Sequence, residues 1–187
     1  MSPMKAPLIR GAGALAAAAM VVVALAAFVP RTSSDADRRA ALTRYEDAVA
    51  GPAREGGFVI QEGLKIGLAQ VGSGQAGNVT FQAVGWVNQL EDVRTRFSGA
   101  ATRLHDPQLK AAADAFDEAL VLYKRAAETI GAAAIAAPDS EPRTRLLEQA
   151  GATGRQADAR FDEASALMQQ IRRSLGLAPT SRFPDPR

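Results

Sequence analysis

Gly72-Ser73-Gly74-Gln75-Ala76-Gly77 is a literal G-x-G-x-x-G, and Glu91 and Asp92 follow near the distance at which a ribose-binding acid would fall. Such a loop cradles a pyrophosphate when a strand feeds it, a helix opens at its end, and the acid closes a second parallel strand. No later segment reads as a strand. Glu91 and Asp92 sit between Leu90 and Val93 on the outer face of a segment with helical periodicity. A connection between two helices accounts for the glycines, and Gly74 and Gln75 at its tip are candidate contacts for a ligand or partner. Dinucleotide binding through this loop ranks third among the functional readings, below protein interaction and small-molecule sensing.

Two carboxylate groups invite an acid–base reading: Asp114, Asp117 and Glu118 in one segment, Asp158, Asp162 and Glu163 in another. They flank apolar seams instead of occupying them, and Lys124, Arg125, Arg155 and Arg160 lie nearby. Lys124/Glu128, Asp92/Arg96 and Glu141/Arg145 stand four residues apart, the spacing of surface ion pairs on a helix, so a solvated charged face is expected. The one histidine, His105, lies in a turn and has no Glu-x-x-His partner of the kind that builds di-iron bundles or a pocket for haem. Cysteine is absent, which removes thiolate nucleophiles, disulfides and soft-metal sites together. No catalytic residue, cofactor or metal site is therefore expected, and the chain does not read as an enzyme. Trp86 and Tyr123 occupy seam positions, where packing is the default role; they are also where a small molecule between helices would stack.

The elements that carry these residues follow from three apolar seams with a mean stride of 3.5. They run Val79, Ala83, Trp86, Leu90, Val93, Phe97, Ala100, Leu104; then Ala113, Phe116, Leu120, Tyr123, Ala127, Ile130, Ala134; then Leu147, Ala150, Gly154, Ala157, Phe161, Ala164, Met168, Ile171, Leu175. That stride keeps one stripe of each helix facing its neighbours. Leu42, Tyr45 and Val49 begin an earlier seam that Gly51-Pro52 interrupts, and Ile60, Leu64, Gly67 and Val71 resume it. A first arm kinked or split near Gly51-Pro52 is expected there. The alternation of Phe58, Ile60, Leu64, Ile66 and Leu68 leaves a strand as the other reading. Asn78 and Asp106 are placed to cap helices, Pro107 to open one, and Gly176 to close the last. Short connections between long arms predict an all-α fold, an up-down-up-down four-helix bundle over 36–176.

Composition agrees with this architecture. Of 187 residues 47% are hydrophobic but only 5% aromatic, so the core must come mainly from Ala, Leu and Val. The sequence pI is about 9.3, yet two of the 22 Lys and Arg, Lys5 and Arg10, precede the apolar start of the chain. The other 20 face 20 Asp and Glu, a balance that gives no field to gather phosphates and argues against a nucleic-acid partner.

Residues 1–10 form a short cationic tail, and 11–30 carry no charge. At roughly 1.5 Å per residue that run is near the minimum for crossing an apolar core of about 30 Å, so a transmembrane anchor is expected. Ala24-Leu25-Ala26 offers a small-x-small signature, which leaves secretion after cleavage near Ala26 as the alternative. A strict cation count, Lys5 and Arg10 against Arg31, Arg38, Arg39 and Arg44, would put the amino terminus outside. The later arginines are interleaved with Asp35, Asp37, Glu46 and Asp47, and the short cationic tail is typical of an export signal, so the bundle is expected outside the cytoplasm at the cell membrane. Residues 177–187, with Pro179, Pro184, Pro186, Arg182 and Arg187, read as an extended, flexible tail.

The closing third, with Ala157-Asp158-Ala159-Arg160-Phe161-Asp162-Glu163-Ala164, Arg172-Arg173-Ser174-Leu175-Gly176-Leu177 and Phe183-Pro184-Asp185-Pro186, resembles uncharacterised membrane-anchored or secreted helical proteins of high-GC actinobacteria. The resemblance implies a cell-envelope location and carries no assigned activity or functional residue. The expected function is a membrane-tethered interaction or structural protein that offers its glycine loop or an Ala-rich helix face to a protein partner. The alternative is a small-molecule-sensing bundle.

Overall fold

A computed structural model describes residues 34–179, and every regular element among them is helical. The anchor assigned to 11–30, the cleavage signature at Ala26 and the tail beyond residue 179 lie outside the described residues. The first arm consists of α1 (Asp35–Phe58), a π-helical segment (Val59–Leu64) and α2 (Lys65–Gly72), joined end to end. Three more helices follow: α3 (Val79–Ala101), α4 (Pro107–Ile135) and α5 (Glu141–Ser174).

The helix ends are set by side chains suited to them. Ser34 accepts from the Asp37 amide while the Asp37 carboxylate accepts from the Ser34 amide, a capping box that opens α1. Asp106 and Ser140 cap α4 and α5, each followed by a proline in the first turn. Gly176 takes a positive φ of 68° and the Leu177 amide donates to the Arg172 carbonyl at 2.9 Å, which closes α5. Asn78 departs from expectation: it precedes α3, but its side chain makes no capping bond, because its backbone is not in the extended conformation a cap uses.

Four helical arms pack against one another. α3 lies against α1 and α4, α4 against α3 and α5, and the α2 end of the first arm closes on α5. The most extensive contact joins α4 and α5. Ala112, Ala119, Ala126 and Ala133 on α4 and Ala150, Ala157 and Ala164 on α5 recur at seven-residue intervals and are buried, and side chains this small let two helices run close together. Phe116 knits the centre, meeting Phe97 of α3 and Phe161 of α5 edge-on, with ring centroids 5.8 and 5.1 Å apart.

The first arm is not split near Gly51-Pro52, and the strand reading of 58–68 is set aside. α1 runs unbroken through Gly51-Pro52, with Pro52 buried inside it, and no strand forms over 58–68. The departure from α geometry comes instead at Val59–Leu64. The spacing of buried residues explains the place: Leu42, Val49 and Gly56 advance by sevens, whereas Gly56, Ile60 and Leu64, which span the π-helical segment, advance by fours. A stride of four overruns the α-helical turn, and the wider π turn absorbs the overrun.

Glycines fix the contact between this arm and α3. A Cβ on Gly63 would lie 2.7 Å from Trp86 Nε1, and one on Gly67 would lie 2.6 Å from Trp86 Cη2, closer than real side chains approach. The indole therefore rests on bare backbone. One heptad earlier, a Cβ on Gly56 would meet Val93 Cγ1 at 3.2 Å. Gly56 pairs with Val93 and Gly63 with Trp86, seven residues on in one helix and seven back in the other, so the two run antiparallel in a fixed register.

Gly67→Ala is expected to lower unfolding free energy by about 1–3 kcal/mol through overpacking, despite alanine's better helix propensity. Gly85→Ala on α3, where a Cβ meets nothing within 4 Å, should raise it by up to about 1 kcal/mol. Urea unfolding followed by far-ultraviolet circular dichroism reads both.

Candidate functional site

The glycine loop spends its amides on the helix behind it. Ser73 donates to the Ala69 carbonyl at 2.9 Å, Gly74 to Val71 at 3.2 Å and Gln75 to Gln70 at 2.8 Å, with Gly74 at a φ of 81°. These bonds close the carboxyl end of α2, and a helix, not a strand, feeds the loop. Gly74 and Gln75 thus form a helix-to-helix turn without the strand–loop–helix geometry that holds a pyrophosphate.

The carboxylates are engaged one by one. Asp117 accepts from Arg94 Nε at 2.9 Å and from the Ser98 hydroxyl at 3.0 Å, Asp114 accepts from Lys110 at 3.0 Å, and Arg160 bridges Glu118 and Glu163. Asp92/Arg96 and Glu141/Arg145 pair as the spacing suggests. Lys124 reaches across to Glu91 of α3 at 2.8 Å, where Glu128 on its own helix was the expected partner. That bond holds the Glu91 carboxyl below its ordinary range against a smaller opposing effect of burial. His105 is exposed in its turn, and no cluster of three or more metal-ligating side chains occurs among the described residues.

Trp86 and Tyr123 do not share a site. Trp86 is half-buried on the glycine shelf of the first arm. Tyr123 is 2% exposed, and its hydroxyl donates to Asp158 Oδ1 at 2.6 Å. It lines a cavity of about 210 Å³ between the first arm, α4 and α5, walled by Ile60, Leu64, Leu68, Ile130 and Gly154, with Lys65, Arg155 and Asp158 as its charged members. Trp86 is not part of that lining.

The seams also hold polar groups that the apolar pattern did not announce. Glu46, only 4% exposed, receives both of its oxygens' bonds from Arg172 Nη1 at 2.7 Å, and Arg39 donates to the Leu175 carbonyl at 3.0 Å. These long side chains join α1 to the end of α5. Glu46 stands beside Tyr45 on the first seam, and that position was the available signal. Buried Arg143 donates to the carbonyls of Ala133 and Ala134 at 3.2 and 3.3 Å, satisfying the end of α4. Arg38 donates to Asp106 at 2.5 Å. Burial opposes charge on Asp106, but the amides of Leu109 and Gln108 and the Arg38 guanidinium outweigh it and hold the carboxyl below the usual range.

Tyr45 is 2% exposed, and its hydroxyl meets no partner among the described residues. No family model, no curated protein and no solved structure matches the chain.

Both tyrosines are held above the ordinary phenol value of 10.0, Tyr45 by burial and then by the charges of Asp114 and Asp117, Tyr123 by burial and then by its bond to Asp158. The folded state keeps phenolic protons that the unfolded chain releases near pH 10, so their contribution to stability is complete below that pH and falls as pH rises beyond it. Absorbance at 295 nm should stay flat past pH 10 and rise only as helical dichroism is lost. Arg172→Met should cost about 3–5 kcal/mol by leaving Glu46 buried and unpaired, whereas Glu46→Leu combined with Arg172→Met should be close to neutral. Urea denaturation of the single and double variants measures the difference.

Proposed function

We propose that this chain is a membrane-tethered bundle outside the cytoplasm that acts by binding a protein partner or as a structural part of the envelope, without catalysis. The tether is the uncharged run over 11–30 behind Lys5 and Arg10, with secretion after cleavage near Ala26 as its alternative. The observation that carries the interaction reading is where the large apolar side chains outside the core fall. Phe58 and Ile66 lie exposed on the first arm, Phe81 and Val84 on α3, and Ile135 at the end of α4. Phe81, at 84% exposure, and Val84 are three residues apart and share one helical face. Ile66 stands beside Gly67, whose backbone carries the Trp86 indole, which brings it to the level of that same stretch of α3. Apolar groups grouped on one stretch of surface favour a binding face. The Ala stripes of α4 and α5 are buried against one another, so the exposed Phe81 and Val84 support the reading better than those stripes do.

Polar groups in the interior are turned toward each other, as in Glu46 with Arg172 and Arg143 with the end of α4. That arrangement favours packing over chemistry. A second reading, a small-molecule-sensing bundle, is favoured by the cavity beside Tyr123.

A photo-crosslinking residue in place of Phe81 or Val84, used in intact cells, should give one discrete protein adduct. The same residue in place of Arg160, on the charged face of α5, should not give it. Adducts with lipid alone, or equal labelling at all three positions, would remove the interaction reading.

A further inference from the structure

We infer that the cleft between α1 and the end of α3 binds a phosphate group on a small organic body, held by Arg44, Arg103 and His105.

Ala41, Arg44, Tyr45 and Ala48 share one face of α1, and Arg103, Leu104 and His105 stand opposite them in the turn that follows α3. The two walls enclose about 380 Å³. That volume falls in the range of about 300–1,000 Å³ that takes a small ligand, which is more room than a bare ion needs.

No carboxylate lines this cleft, and neither Arg44 nor Arg103 forms an ion pair among the described residues. Four other cavities differ in this respect. In them the cation has its counter-charge in the same lining: Arg54 with Glu62, Lys110 with Asp114, Arg155 with Asp158 and Arg160 with Glu163. The acids nearest the cleft in sequence are already engaged. Glu46 accepts from Arg172, Asp106 from Arg38 and the amides of Gln108 and Leu109, and Asp47 also has a partner. The carbonyls at a helix end would repel an anion, but those of Ser98, Gly99 and Ala101 accept from the Thr102 amide, the Thr102 hydroxyl and the Leu104 amide. Two uncompensated guanidiniums and an imidazole remain.

A second observation is independent of charge. Tyr45, which lines the cleft, is 2% exposed, and its hydroxyl has no partner among the described residues. Orphaned buried donors mark places where a water or an ion belongs. Guanidinium forks on two separate elements suit a tetrahedral group, whose three free oxygens diverge, better than a carboxylate, whose two oxygens fit one fork. Ala41, Ala48 and Leu104 leave an uncharged wall for the body that carries it. A soluble phosphate ester and the head of a phospholipid share this chemistry.

The test is calorimetric titration of the full-length chain in detergent with glycerol 3-phosphate, glycerate and glycerol. Glycerol 3-phosphate should saturate a single site. Arg44→Gln and Arg103→Gln, at exposed and unpaired positions, should each weaken it about tenfold, the equivalent of one charge-assisted hydrogen bond, with the melting temperature unchanged. Arg54→Gln removes the same charge from α1 outside the cleft and should leave binding as it was. Equal weakening by Arg54→Gln would overturn the site, since attraction to charge in general would then suffice. Glycerate binding as tight as glycerol 3-phosphate, or no saturation by glycerol 3-phosphate, would overturn the phosphate assignment. Titration in nanodiscs separates the two sources. Weaker binding in phosphatidylglycerol than in phosphatidylcholine brought to equal charge with oleate makes a lipid head the occupant, and equal binding makes it a soluble ester.

Discussion

The first arm can lie on α3 only because Gly63 and Gly67 carry no side chains where the Trp86 indole rests. Each missing Cβ gives up helix propensity, and the contact with the largest side chain in the chain offsets it. With Trp86 and Val93 matched to Gly63 and Gly56, the rotation and register of the arm are set, and the π turn at Val59–Leu64 keeps the seam facing inward beyond them. On the same stretch Ile60, Leu64 and Leu68 line a space shared with Tyr123 and Ile130 of α4 and Gly154 of α5.

Three arginines meet acceptors inside the bundle, while the Tyr45 hydroxyl has none among the described residues. Arg143 serves the carbonyls at the end of α4, Arg39 the Leu175 carbonyl at the end of α5, and Arg172 the buried Glu46. An arginine left inside without such acceptors would be costly, and each of these has them. They tie α5 to α4 at one end of the bundle and to α1 at the other, and two of the three use carbonyls that a helix end leaves to spare.

Much of this was legible in the residues. The stride of 3.5 located α3, α4 and α5 and every buried position of α3, because a repeating apolar type reports directly on which stripe loses water, but on α4 it missed the second buried stripe of Ala112, Ala119, Ala126 and Ala133. Asp106, Pro107 and Gly176 marked helix ends through chemistry local to the chain. What spacing could not convey is what a glycine is for. Gly51-Pro52 reads as a break, yet the helix continues, since packing on both sides holds the backbone that Pro52 alone would disfavour. Gly63 and Gly67 depress helix propensity in the same way, and their reason lies in Trp86, far along the sequence. Trp86 and Tyr123 look equivalent as seam aromatics but face different neighbours, a distinction that only the angle between helices decides. The place of Glu46 beside Tyr45 hinted at burial but not at its partner, because the counter-charge, Arg172, comes from the other end of the chain.

The dependence of the arm on its bare backbone is tested most directly by a double-mutant cycle between Gly67→Ala and Trp86→Ala, read by urea unfolding under far-ultraviolet circular dichroism. If the indole is what excludes a Cβ, Gly67→Ala destabilises the natural chain but stabilises the Trp86→Ala background by up to about 1 kcal/mol, the propensity gain alone. The same loss from Gly67→Ala in both backgrounds would contradict the account.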